Sequence, residues 1–226
     1  MGYDISMNIV NLSENVSILH EYIREIRDIE IQKDRMHFVK NLERIGEISA
    51  YEISKKLDYK IVQTQTPLTT TDTNTLAVQP VIATIIRAGL PLYNGFMQVF
   101  EKADSAFMAA YRKTGKDGNM ESVVEYASSP RLDGRTLIIA DTMIATGTTI
   151  VDIYNKLMEY GQPSQTFISG AIVSKPAIDY IQEHIPSVTI YAATIDNELN
   201  DKFYIVPGLG DAGDISYGAK YRGPVE

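Results

Sequence analysis

Leu137-Ile138-Ile139-Ala140-Asp141-Thr142-Met143-Ile144-Ala145-Thr146-Gly147-Thr148-Thr149 is the most informative run in this 226-residue chain. Residues 136–140 read as a strand, continuously apolar after Thr136 and followed by a carboxylate. A hydroxyl-rich turn with one glycine comes next. A helix is then predicted from about residue 148 to 160, with Gly161 ending it. A strand that is apolar on both faces belongs in a parallel sheet covered by helices above and below. The sequence on either side should therefore repeat the same alternation.

It does. Residues 80–86 predict a buried strand, and Arg87-Ala88-Gly89 opens a helix through about Glu101. Residues 105–111, 122–126, 166–173 and 188–193 predict further strands, with a helix over residues 178–183. Residues 113–119 form a polar, glycine-bearing loop. On the N-terminal side, Val16, Leu19, Ile23, Ile26 and Ile29 recur at helical spacing, and Val39, Leu42, Ile45 and Ile53 continue it. Two helices broken near Lys33-Asp34 are expected there, followed by an extended stretch over residues 60–66 that Pro67 stops.

With no repeat, low-complexity tract or linker, residues 1–226 read as one domain. It comprises a helical part (1–60), an α/β core (61–195) and a C-terminal segment (196–226). Ligands of such sheets bind beyond the carboxyl ends of the strands. The positions to inspect are thus Arg87, Arg112, the loop from Asp141 and the turn after Ala193.

Composition narrows the chemistry. The chain has no cysteine, which excludes disulfides, a thiol nucleophile and thiolate metal sites, and fits a cytoplasmic location. No apolar run approaches the ~18 residues of a membrane span. Met1-Gly2-Tyr3-Asp4-Ile5 lacks the start of a secretory signal. Ser6 completes a myristoylation pattern that is short enough to arise by chance. A net charge of −8 argues against nucleic acid as a partner. An anionic substrate must then be held by placed arginines, backbone amides or a metal ion. His20, His37 and His184 are scattered without metal-ligand spacing.

The turn after Asp141 admits two readings. Exposed amides at a helix start form an anion site suited to phosphate, with Thr146, Thr148 and Thr149 adding hydroxyls and Gly147 close backbone approach. Asp141, of the wrong charge for phosphate, fits a ribose diol or a magnesium-bound water. In the alternative, Thr146 or Thr148 caps the helix and Asp141 accepts turn amides. A second run, Tyr204-Ile205-Val206-Pro207-Gly208-Leu209-Gly210-Asp211-Ala212-Gly213-Asp214, formally contains Gly-x-Gly-x-x-Gly. It lies too near the C-terminus, and without a following helical face, to be a dinucleotide fingerprint. It reads instead as a backbone-built pocket for a flat base, or as a surface loop.

The first run resembles the phosphoribosyl pyrophosphate motif of type I phosphoribosyltransferases, and the second resembles the uracil-binding loop of the uracil phosphoribosyltransferases. Ile86-Arg87-Ala88-Gly89-Leu90, Tyr111-Arg112, Ile26-Arg27-Asp28, Tyr51-Glu52, Thr66-Pro67, Ala193-Thr194-Ile195-Asp196 and Leu199-Asn200 match that family in order. Departures are Thr142 for proline, Thr148 for glycine and Ile215 for arginine.

The resemblance implies a parallel sheet flanked by helices, with a small base-binding hood built from the C-terminal region and the N-terminal helices. It implies transfer of phosphoribosyl to uracil, giving UMP and pyrophosphate. Phosphoribosyl pyrophosphate binding falls on Arg87, Arg112, Asp141, Thr142, Met143, Ile144, Ala145, Thr146, Gly147, Thr148, Thr149 and Asp211. Arg87, Arg112 and Asp141 carry the catalytic roles, and Tyr204, Ile205, Gly210, Asp211 and Ala212 bind uracil. Magnesium is expected through substrate and water, with no direct protein ligand. A homodimer or larger homo-oligomer and a GTP effector are further expectations. Transfer to another base, and a non-catalytic nucleotide sensor, are the competing readings.

Overall fold

The computed structural model describes residues 8–114 and 120–221, without the side chains of residues 111–114 and 120–124. The chain begins with β1 (Ile9–Asn11), α1 (Ile18–Arg27) and α2 (Arg35–Ser54), with a 3-10 turn at Ile31–Lys33 between the helices. A hairpin of β2 (Tyr59–Gln65) and β3 (Thr70–Leu76) follows, its side chains largely exposed. Then come β4 (Val81–Ile86), α3 (Leu90–Val99), β5 (Asp104–Thr114), β6 (Met120–Ser128), β7 (Thr136–Ile144) and α4 (Thr148–Leu157). The chain continues with β8 (Gln165–Ser174), α5 (Lys175–His184) and β9 (Thr189–Asp196), and finishes with β10 (Glu198–Leu199), β11 (Ile205–Val206) and α6 (Ala212–Tyr217).

Seven strands form the main sheet in the order β1-β9-β8-β7-β4-β5-β6, all parallel except the β5–β6 pair. Alternation along each strand divides the core in two. Ile82, Ile138 and Phe167 face α1, α2 and α3, against Leu19, Phe38, Leu42, Leu92 and Phe96. Val81, Leu137, Ile139 and Ile168 face α4 and α5, against Ile150, Ile153, Ile178 and Ile181. Both faces are dry, so the strand sequences are continuously apolar.

From β4 the chain winds outward through β5 and β6, then returns to the other side of β4 and winds away through β7, β8 and β9. The winding reverses between β4 and β7. Crevices at such reversals, beyond the carboxyl ends of the strands, are where open α/β sheets bind ligands.

Several elements differ from the sequence reading, among them the unpredicted strand β3 and the pair β10 and β11. β7 continues through Asp141 to Ile144, because residues 141–144 keep pairing with β8 as far as Val173. Residues 9–11 add a strand beside β9 that is too short to show periodicity. Ala212–Tyr217 is a single helical turn and a half, capped by Asp211, where no helical face was legible. No helix among the described residues is long and apolar enough to cross a membrane.

Candidate active site

Arg87 immediately follows β4 at the reversal point, and the end of β7 leads through residues 145–147 into α4 beside it. Thr142 links the two. Its side chain is fully buried, and its hydroxyl donates to the Ala88 carbonyl at 2.6 Å. The Ile86–Arg87 peptide is cis.

Helix capping sets this region apart. Of the six α-helices described, α1, α2, α5 and α6 have N-terminal amides bonded by the side chains of Ser17, Asp34, Ser174 and Asp211. Only α3 and α4 begin on glycines, Gly89 and Gly147, with no side-chain cap. These are the two helices that start at the crevice. Neither threonine caps α4: Thr146 and Thr148 bond each other, oxygen to oxygen at 2.8 Å, and leave its first-turn amides open, whereas the other half of that alternative, Asp141 accepting a turn amide, is present. Open amides at the positive end of a helix dipole attract an anion.

The backbone of the turn is fixed from behind. Gly147 has φ +80°, and a Cβ there would meet the Ala177 carbonyl at 2.9 Å, so glycine is required twice over. The Ser174 hydroxyl donates to the Ala145 carbonyl at 2.5 Å and accepts from the Ala177 amide, which ties the turn to the start of α5. Asp141 accepts from the Thr142 amide at 2.9 Å. Burial pushes its carboxyl up from 3.8 to about 7, and the amide offsets this only in part. At neutral pH it is poised between the charged and uncharged forms.

The C-terminal segment is positioned differently. Arg27 on α1 makes a two-pronged ion pair with Asp196 at the end of β9, at 2.9 and 2.7 Å, and also donates to the Gly208 carbonyl at 3.0 Å. Asp196 in turn accepts from the Gly208 amide at 3.0 Å. Gly208 has φ +56°, and a Cβ there would collide with the Ile205 carbonyl. Arg35 on α2 donates to the Ile215 carbonyl at 3.1 Å. Arg87 reaches across from β4 to Asp214 at 3.2 Å and to the Gly218 carbonyl at 3.4 Å.

The two regions meet around one cavity of about 530 Å³. Met143, Ala145 and Thr149 line it from the β7–α4 side, and Tyr204, Ile205 and residues 210–213 from the C-terminal side. A turn with uncapped helix amides thus faces the glycine-rich segment across the cavity, a pairing suited to a base and a phosphorylated sugar bound together.

A family model described as uracil phosphoribosyltransferase matches residues 15–219. The chain belongs to the uracil phosphoribosyltransferase family. It is 41% identical to a uracil phosphoribosyltransferase of Porphyromonas gingivalis, over 95% of this chain and all of that one. It is 38% identical to one of Pyrococcus furiosus, over 91% of this chain and 88% of the relative. A solved protein from Aquifex aeolicus shares the fold with a TM-score of 0.83 at 29% identity, covering 93% of this chain and 98% of its own.

Against that family's motifs, the expected uracil set of Tyr204, Ile205, Gly210, Asp211 and Ala212 lines the cavity together. Of the expected phosphoribosyl set, Met143, Ala145, Thr149 and Asp211 do so, while Asp211 also caps α6 through the Asp214 amide. The Ile144 side chain packs in the core beneath the sheet, leaving only its backbone toward the turn. Arg87 sits at the rim beside Gly213. Arg112 pairs through its backbone with Ser122, and its side chain lies outside the described residues, as does most of the loop at 113–119.

The departures at Thr142 and Thr148 have structural roles, one tying the strand to Ala88 and the other pairing with Thr146. Sequence reading assigned no role to Lys202, Phe203 and Lys220, which also line the cavity. A lysine or aromatic in a polar turn gives no signal of where it points.

Proposed function

We propose that this protein is a uracil phosphoribosyltransferase, converting uracil and phosphoribosyl pyrophosphate to UMP and pyrophosphate. The observation that carries the reading is the single cavity shared by the uncapped turn after β7 and the glycine-rich segment at 204–214. In the reaction a bond forms between N1 of uracil and C1 of the ribose. The bond from C1 to the pyrophosphate oxygen breaks with its electron pair leaving on oxygen, and the N1 proton is lost. The chain's part is positioning and charge stabilisation.

The amides at 147–149 hold the 5′-phosphate. Asp141, once ionised, accepts from the ribose hydroxyls. Arg87 exchanges its Asp214 partner for pyrophosphate oxygens, and Arg112 supplies a second guanidinium. Peptide groups of Ile205 and residues 210–212 read the edge of the base. Among the described residues no group of three or more His, Cys, Asp or Glu side chains could hold a metal. In this reading magnesium is carried on the substrate, with Asp141 accepting from one of its waters. When bound, that ion neutralises charge on the leaving pyrophosphate.

Homodimerisation, a cytoplasmic location and a response to GTP accompany this reading. Family resemblance supports the first and the last, and the absence of cysteine the location. The test is UMP formation from labelled uracil, with and without phosphoribosyl pyrophosphate and magnesium, beside cytosine, hypoxanthine and orotate. Uracil-selective, magnesium-dependent product is expected. Product from another base alone, or no product from folded protein, refutes it.

A further inference from the structure

Phe203 is the one non-glycine residue with positive φ among the described residues, at φ +60°. A bulky side chain in the left-handed region is an outlier that persists only where its surroundings impose it, and such residues gather at functional sites. Here the imposing surroundings are visible. β10 and β11 pair antiparallel around a tight turn, in which the Asn200 side chain accepts the amides of Lys202 and Tyr204 at 2.9 and 3.0 Å. The Asn200 amide donates to the Tyr204 carbonyl, and the Phe203 amide to the Asn200 carbonyl.

The fold gains little from the ring so placed. Phe203 is 56% exposed and joins neither apolar cluster. Phe203 is instead among the residues that line the active-site cavity, immediately before Tyr204 and Ile205. The peptide groups of Ile205 and residues 210–212 can bond the edge of a pyrimidine, yet hydrogen bonds at an edge leave its faces bare. An aromatic ring covers a face, and stacking tolerates no water between.

We propose that Phe203 is a base-stacking residue, held in a strained turn so that its ring covers one face of the pyrimidine bound in the cavity. The inference rests on the cavity being the site of uracil and UMP. It assigns Phe203 to base affinity, apart from the sugar phosphate.

Three variants test it, each compared with the parent chain for UMP formation and thermal melting. Phe203→Gly relieves the backbone and removes the ring, and Phe203→Leu keeps apolar bulk without an aromatic face. Both should raise the KM for uracil by about tenfold, the scale of losing one stacked base. The KM for phosphoribosyl pyrophosphate should not change, and the glycine variant should melt no lower than the parent. Phe203→Trp places the only indole in a chain that has no tryptophan. Its emission should be quenched saturably by UMP, at concentrations where calorimetry shows binding, with uracil KM near the parent value.

An unchanged uracil KM in the glycine and leucine variants of an active enzyme overturns the proposal while leaving the proposed function intact. So does indole emission that ignores UMP at saturation. A parent chain that forms no UMP from any base overturns both.

Discussion

The turn at residues 145–149 and the segment at 204–214 face the same cavity, but they are held there by opposite means. The turn sits between β7 and α4, its shape set by sheet pairing, a left-handed glycine and one hydroxyl from Ser174. The segment has little regular structure beyond a two-residue strand and a short helix. It is held by arginines from far along the chain: Arg27 on α1, Arg35 on α2 and Arg87 after β4. The β7–α4 side of the cavity is therefore tied into the sheet, whereas the C-terminal side depends on a few charged tethers. A defect in one tether should uncouple the two ends.

The strongest such uncoupling is Arg27→Ala. Asp196 is only 5% exposed, and removing Arg27 would strand its charge and release the Gly208 carbonyl. Breaking one side of a buried pair costs about 3–5 kcal/mol, and the partial exposure of Arg27 sets this case at the lower end. Urea unfolding should show that loss. Calorimetry at a temperature where the variant stays folded should show UMP affinity falling far more than that of pyrophosphate. Equal losses for both ligands would mean that the two ends are one mechanical unit.

Asp141 probes the β7 side. Its folded pKa is raised from 3.8 to about 7 by burial, so its contribution to stability is fully present below 3.8 and lost as pH rises through about 7. Three units correspond to about 4 kcal/mol, an upper bound because the residue keeps some contact with solvent. Asp141→Asn should therefore flatten the fall in stability between about pH 4 and 7, measured by urea unfolding at each pH. In the parent chain, ribose hydroxyls that need the charged carboxylate should draw its pKa down. Binding of phosphoribosyl pyrophosphate near pH 7 should then release protons, read as calorimetric heat that varies with buffer ionisation. Proton uptake instead would place the uncharged acid in the complex.

The same division explains what could be read in the sequence. Strands β4, β7, β8 and β9 were legible because burial on both faces writes a continuous apolar run. The turn after β7 was legible because its parts are neighbours in sequence. The hairpin strand Thr70–Leu76 was not, since a ribbon exposed on both faces carries no hydrophobic alternation. Nor were the tethers: Arg27 and Asp196 stood out as separate matches, and nothing local says that they meet at Gly208. Thr142 looked like a defect in a motif until its hydroxyl was seen on the Ala88 carbonyl. Phe203 was passed over because the sign of φ at a non-glycine turn residue is set by the hairpin around it.

The smallest effect tests the contact that joins the two regions. Arg87 belongs to the β4 side, and its partner Asp214 belongs to the C-terminal segment, so their 3.2 Å pair both tethers the segment and occupies a guanidinium proposed for pyrophosphate. Both side chains are partly exposed, and such a pair is worth less than about 1 kcal/mol. Asp214→Asn should thus leave melting nearly unchanged. If Asp214 competes with the substrate, the neutral variant should bind pyrophosphate more tightly, because Arg87 no longer gives up an ionic partner. Weaker binding would show that Asp214 aims the guanidinium rather than withholding it. In that case the C-terminal side of the site would be helping to build the β4 side.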